Sequence, residues 1–181
     1  MTTDTITRTL RLPAPLPLVW EAFTHPAFLS RWFPDSALFT DGAVGVLRWD
    51  THGDYPARID DVDPMRTFAF TWSRTHDPVR PGESTQVRAA FHRTDDGTEL
   101  TLTESGFDAL TDEDPAAARK ENEQGWDEEL AEFTTLVCEL VDGRPFSPHE
   151  PTLTVLGSAR LPVPRERAWE LLTTPEHIEQ W

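Results

Sequence analysis

One acidic side chain is the strongest candidate for chemistry in this sequence. Glu104 follows Leu100 and Leu102 at alternating positions, and alternating residues of a β-strand share one face. Glu104 therefore either lies in solvent at the end of its strand, which is the simpler interpretation, or points inward beside the leucines. An inward carboxylate either needs a partner for its ionised form, which Arg58 or Arg88 could provide, or must have a raised pKa. In that position it would orient a ligand or act as a general base.

Other catalytic patterns are missing from the sequence. It contains no GxSxG, P-loop or GxGxxG motif. Its six histidines are scattered without an HxH or HxxxH pair, so we predict no metal site and no cofactor. The only cysteine, Cys138, lies among apolar residues of a predicted helix, where we expect a buried and unreactive thiol.

The charge of the chain narrows the classes of partner. The 181 residues carry a formal net charge of -16, with Lys120 as the only lysine. Nucleic-acid phosphates and anionic membranes both favour Lys and Arg, so we expect binding to neither. The N-terminus lacks the basic start and apolar run of a signal peptide. No apolar stretch approaches the ~20 residues that span a bilayer, and we therefore expect a cytoplasmic protein.

The elements that would position Glu104 follow from periodicity and turn residues. The sequence predicts a strand at 5–12, helices at 13–23 and 26–32, strands at 37–39, 44–49, 55–62, 66–72, 85–93 and 99–104, and a helix at 115–141. Clean alternation is typical of antiparallel strands with one solvated face. We therefore predict an α+β fold in which a curved antiparallel sheet wraps around the long C-terminal helix.

Mostly apolar side chains are predicted to lie between this sheet and this helix. Those expected from the strands are Phe68, Phe70, Trp72, Val87, Ala89, Phe91, Leu100 and Leu102, together with Glu104 if it points inward. On the helix, Trp126, Leu130, Phe133 and Val137 form a stripe at helical spacing, and acidic residues such as Glu121 and Glu123 occupy the other face. These side chains either fill a core or line a ligand cavity.

Four segments in this order resemble a known family. They are VWEAFTHPAFLSRWF, ARIDDVDPMRTFAFTW, GTELTLTESGF and GWDEELAEF. Over residues 5–142 the chain resembles the START-like (SRPBCC) superfamily, and within it the activator of heat-shock-protein-90 ATPase homologue family. The resemblance implies a helix-grip fold with a cavity between the sheet and the long helix.

The main functional hypothesis is non-catalytic binding of a small hydrophobic molecule in that cavity. The alternatives are a cyclase or aromatase-type enzyme and a partner protein resembling the chaperone ATPase activators. An enzyme of the cyclase type should place at least two titratable groups inside the cavity, whereas a carrier needs none. Glu104 is the one inward candidate that the sequence offers, and this favours the carrier.

An internal repeat divides the chain. Residues 11–32 and 160–181 share nine identical residues without a gap, including the Trp, Glu, Thr and Pro of WEAFTHP and WELLTTP. We therefore predict a START-like domain at 1–143, a Pro-rich linker at 144–151, and the truncated start of a second START-like copy at 152–181.

The repeated segment predicts an assembly that can be tested. Residues 152–181 supply a strand and two helices without the sheet that would cover them, so we expect them to pack on a folded domain, with a homodimer contact favoured. Deleting residues 146–181 should reduce the number of chains per particle measured by light scattering, or lower the thermal stability. A full-length monomer whose stability is unchanged by the deletion would contradict this expectation.

Overall fold

The alternating segments form strands that pair in one antiparallel sheet. In the computed structural model, which describes residues 4–40 and 44–142, the sheet order is β1-β7-β6-β5-β4-β3-β2. The strands are β1 (Thr5–Leu12), β2 (Ser36–Thr40), β3 (Val44–Trp49), β4 (Gly53–Asp63), β5 (Thr67–Ser73), β6 (Ser84–Thr94) and β7 (Gly97–Ser105). The helices are α1 (Leu16–Thr24), α2 (Pro26–Leu29) and α3 (Pro115–Asp142), with a 3₁₀ turn at Phe107–Ala109. The predicted α+β helix-grip fold is confirmed.

The element boundaries differ from the prediction mainly at the two short helices. The first begins at Leu16 rather than residue 13, because Pro15 is extended (φ -61°, ψ 141°) and serves as its N-cap. The second ends at Leu29, since Ser30 leaves the helical conformation. Strand and α3 boundaries lie within two residues of those predicted.

One face of the sheet carries the helices and the core. The predicted stripe on α3 is buried, with Leu136 in addition, and Phe133 is fully covered. Its ring lies 5.6 Å from that of Phe23 on α1 and 4.8 Å from that of Trp32. Cys138, by contrast, is exposed, so the expectation of a buried thiol is wrong. It lies next to Val137 in sequence, but one residue rotates a helix by about 100° away from the stripe.

The strand register determines which residues of the neighbouring strands lie beside Glu104. Ile6 of β1 pairs with Glu104 of β7, which pairs with Val87 of β6, which pairs with Phe70 of β5. A second row places Trp72 beside Thr85. An irregularity in the β4–β5 pairing after Ile59 increases the local bend. Glu104 therefore lies in a row of otherwise apolar core residues.

Some predictions concern parts of the chain outside the described residues. The linker at 144–151, the second copy at 152–181 and the homodimer contact through that copy all lie there. Among the described helices, none is both long and apolar enough to cross a membrane. A cytoplasmic location stays a prediction.

The burial along α3 predicts unequal effects of two truncations. Phe133→Ala should lower the free energy of unfolding by roughly 3–5 kcal/mol, because it removes a fully buried ring from the aromatic core. Cys138→Ala, five residues along on the exposed face, should stay within about 0.5 kcal/mol of the parent chain. Urea denaturation measures both values, and similar losses would show that the helix phase is wrong.

Candidate functional site

Glu104 lies at the centre of a buried hydrogen-bond network. Its side chain is 0% exposed, so the simpler interpretation of a solvated strand end is wrong. Oε1 accepts from Trp72 Nε1 at 3.0 Å and from Thr85 Oγ1 at 2.6 Å. Oε2 accepts from Trp126 Nε1 at 2.6 Å, and the Asn122 amide donates to both oxygens at 2.9 and 3.0 Å. Neutral donors from three elements thus satisfy the carboxylate.

The two arginines suggested as partners of Glu104 lie elsewhere. Arg58 pairs with Asp60 at 2.9 Å and Arg88 with Asp61 at 3.4 Å. Both arginines are exposed, because they occupy strand positions that point to the solvated face. The expectation of an arginine partner is therefore wrong, and its physical reason is the strand register.

Asn122 connects Glu104 to a second cluster of charges. Its Oδ1 accepts from Arg74 Nη1, and Arg74 also donates to both oxygens of Glu113 at 3.0 Å and to Glu121 at 3.0 Å. Burial alone would lower the pKa of the Arg74 guanidinium, but its hydrogen bonds to these two carboxylates raise it. Arg74 is thus a neutralised cation whose donors are directed at protein groups.

A pocket of about 330 Å³ opens beside this network. Five aromatic side chains line it, namely Phe33, Trp49, Tyr55, Trp72 and Trp126. The polar and small lining residues are His52, Ser73, Arg74, Glu121, Asn122, Gly125 and Glu129. Phe33 stacks on Trp126 with ring centroids 5.0 Å apart. The hydrogen bonds from the Trp72 and Trp126 indoles to Glu104 fix the orientation of two of these rings.

Glu129 is the titratable group whose environment in this pocket is most unusual. Burial raises the pKa of its carboxyl to about 8, and the negative charges of Glu132, Glu128 and Asp35 act in the same direction. A hydrogen bond with Trp49 acts in the opposite direction but is outweighed. Near neutral pH this carboxyl is therefore largely protonated and available either to exchange a proton or to ionise beside a positive charge.

The structure distributes the predicted site residues over two regions. Trp72 and Trp126 line the pocket, and Glu104 holds them in place. Phe68 and Phe70 lie where aromatic packing leaves only about 10 Å³, which is scarcely room for one water molecule. The remaining predicted residues are buried in the core, namely Val87, Ala89, Phe91, Leu100, Leu102, Leu130, Phe133 and Val137. Ligand contact by Phe68, Phe70 and these core residues stays a prediction.

Several residues of the pocket were not predicted from the sequence. Asn122 and Glu129 lie four residues before and three residues after Trp126, which places them on the apolar stripe of α3. Polar residues at stripe positions were the available signal. Glu121 is exposed, as its assignment to the solvent face predicted, and it also belongs to the residues that line the pocket. Phe33, Trp49 and Tyr55 carry no such signal, because only the folded sheet brings them together. In the described part of the chain, no group of three or more His, Cys, Asp or Glu side chains could hold a metal ion.

The comparisons with known proteins agree with this architecture. Residues 13–137 match the model of the family described as activator of Hsp90 ATPase homolog 1-like protein. Protein MLL2253 from Mesorhizobium loti is 22% identical, with a TM-score of 0.64 over 75% of this chain and 97% of that one. A search of curated proteins found no match.

Two further solved structures are similar to this chain. DynU16, described as a protein of the dynemicin biosynthetic locus, is 25% identical with a TM-score of 0.61 over 78% of this chain, which spans about half (49%) of the length of DynU16. CalU16 from Micromonospora echinospora is 21% identical, with a TM-score of 0.57 over 77% of this chain and 79% of that one. The START-like superfamily and the helix-grip fold predicted from the sequence are confirmed.

The network predicts that replacing Glu104 by its amide destabilises the fold. In either orientation the amide nitrogen of Glu104→Gln would face an indole N–H, so at least one buried donor loses its acceptor. We expect a loss of about 1–3 kcal/mol in the free energy of unfolding. Glu99→Gln makes the same change on the same strand at a partly exposed position and should cost less than about 0.5 kcal/mol. Equal losses in urea denaturation would contradict the role of the network.

The raised pKa of Glu129 predicts a pH-dependent stability. Between its ordinary value of 4.5 and about 8 the folded chain binds more protons at this carboxyl than the unfolded chain, so its contribution to the free energy of unfolding falls as pH rises. Glu129→Gln removes that contribution. Its stability relative to the parent chain should therefore increase from about pH 5 to about pH 9. A flat difference for Glu129→Gln over this pH range would contradict the prediction.

Proposed function

Because the chain belongs to the family of activator of Hsp90 ATPase homolog 1-like proteins, we propose that it uses the fold of this family to bind a small, largely hydrophobic ligand without transforming it. The ligand site is the pocket between α3 and the strands β3, β4 and β5. Trp72, Trp126 and Glu129 are the central residues of this proposal, with Glu104 positioning the two indoles.

The observation that carries this proposal is the aromatic lining of an open pocket. A volume of about 330 Å³ lies at the lower end of the range for small-molecule sites, roughly 300–1,000 Å³. Five aromatic side chains supply a large apolar contact area. Since the Glu104 network already fixes two of the rings, binding costs little ordering of the protein.

A cyclase-type enzyme is the second candidate, and Glu129 is the observation that favours it. A carboxyl with a pKa of about 8 is suited to proton transfer near neutral pH. DynU16, which resembles this chain in fold, belongs to a biosynthetic locus. However, the other pocket groups are poorly placed for chemistry, because Arg74 and Glu121 bind each other and His52 is exposed. A reaction would thus depend on Glu129 alone, and this favours binding without chemistry.

Gly125 offers a direct test, since a Cβ built there meets no atom within 4 Å. Gly125→Leu should place a side chain in the pocket, while Gly125→Ala leaves most of the space open. Both changes improve helix propensity and should raise the free energy of unfolding by about 0.5–1 kcal/mol. The parent chain, purified from its own host and studied by native mass spectrometry, should carry a small molecule that Gly125→Ala retains and Gly125→Leu loses.

Two results would contradict the proposed function. One is a parent chain that carries no small molecule from its host and binds none from a host extract. The other is a small molecule that Gly125→Leu retains as fully as the parent chain, because that molecule would then occupy another place. Conversion of the bound molecule to a product of different mass would instead favour the cyclase-type enzyme.

A further inference from the structure

We propose that the pocket selects an organic cation, a small molecule whose alkylated ammonium group lies against the rings of Trp49, Tyr55 and Trp72 with Glu129 as its counter-charge. This inference rests on the proposed function and names the class of ligand. It is carried by two independent features of the pocket, the arrangement of its rings and the balance of its charges.

The first feature is a triangle of electron-rich rings on the wall of the pocket. The ring centroids of Trp49 and Tyr55 lie 5.6 Å apart, those of Trp49 and Trp72 5.8 Å, and those of Tyr55 and Trp72 6.3 Å. The planes are inclined to each other by 80°, 44° and 56°, so the faces are turned in different directions. Ring faces attract cations within about 6 Å, with Trp the strongest. A neutral ligand would gain only the burial of its apolar surface.

The second feature is that Arg74, the arginine of the pocket wall, already directs its hydrogen-bond donors at protein groups. Arg74 directs its donors at Glu113, Glu121 and the Asn122 amide, and its side chain is 12% exposed. It is therefore poorly available to an anionic ligand. Glu129 lines the same pocket, and within residues 4–40 and 44–142 no ion pair involves Glu129.

The groups around Glu129 reinforce the preference for positive charge. Glu128 and Glu132 lie near it on α3, and the charge of Asp35, in the segment before β2, also acts on it. Trp49 is neutral, and its indole N–H donates to the Phe33 carbonyl at 3.0 Å. His52 and Arg74 are the basic groups of the pocket lining. With Arg74 neutralised by two carboxylates, the local field is negative and would repel a ligand carboxylate or phosphate.

Cation binding should also be linked to protonation. A positive charge beside Glu129 favours its ionised form, so the ligand must displace the proton that the free protein holds there below about pH 8. Affinity for a permanent cation should therefore increase between about pH 6 and about pH 9. The variant Glu129→Gln separates this linkage from any other effect of pH on binding.

The test compares a cation with a neutral molecule of the same shape. Choline is titrated against the parent chain, and so is its carbon isostere, in which carbon replaces the ammonium nitrogen. The indole N–H signals of Trp49, Trp72 and Trp126 report binding by NMR. Near pH 8, choline should bind at least about tenfold more tightly than the isostere. Glu129→Gln should abolish most of this preference together with its pH dependence, and Tyr55→Leu should reduce it, whereas Tyr55→Phe and Glu139→Gln should retain it.

Each contrary result has a distinct meaning. If the isostere binds as tightly as choline, or if neither probe binds into the millimolar range, the cation inference is overturned. A preference for choline that Glu129→Gln leaves intact overturns the role of the carboxylate. The proposed function is judged separately by the small molecule that co-purifies and its loss in Gly125→Leu, so a neutral molecule found there would refute the cation inference and support the binding function.

Discussion

The burial of one carboxylate constrains the whole arrangement of helix and sheet. Glu104 is fully buried and takes its hydrogen bonds from Trp72 on β5, Thr85 on β6, and Asn122 and Trp126 on α3. An unsatisfied buried carboxylate would be very costly, so these elements must meet in one register. Apolar packing alone would tolerate sliding of the helix, but these directional bonds do not. They also fix the orientation of two rings that face the pocket.

The position of the pocket follows from how side-chain volume is distributed along α3. Toward the C-terminal part of the helix, Phe133 packs with Phe23 and Trp32 and fills the space between helix and sheet. Toward its middle, Gly125 contributes no side chain, and the chain leaves a cavity there. Polar groups of the helix border this cavity because the same turns also serve the Glu104 network and the Arg74 cluster. Ligand space and buried polarity therefore occur together.

The sequence predicted the fold better than the site, for a physical reason. Alternation identified the strands and put Glu104 on the same face as Leu100 and Leu102, since both depend on a local period of two residues, but it did not decide whether that end of the strand lies in solvent or in the core. The partners of Glu104 depend on strand register and helix position, which local periods do not encode, and so Arg58 and Arg88 were proposed in place of Trp72, Trp126 and Asn122. The position of the pocket between α3 and the sheet could not be predicted either, because cavities depend on how large side chains pack against each other. Glu129 could have been recognised as a polar residue on an apolar stripe.

The arrangement of α3 separates what the protein can change from what it must keep. The residues of α3 that line the pocket lie between Glu121 and Glu129, while the buried core residues from Leu130 to Val137 lie in the turns that follow. Substitutions in the first segment alter the shape and charge of a cavity, whereas substitutions in the second disrupt close packing. In a gene lineage that acquires new ligands, specificity can thus diverge over about two turns of helix without loss of the scaffold. Trp126 and Asn122 are the exceptions. They line the pocket but also donate hydrogen bonds to Glu104, so we expect them to change last.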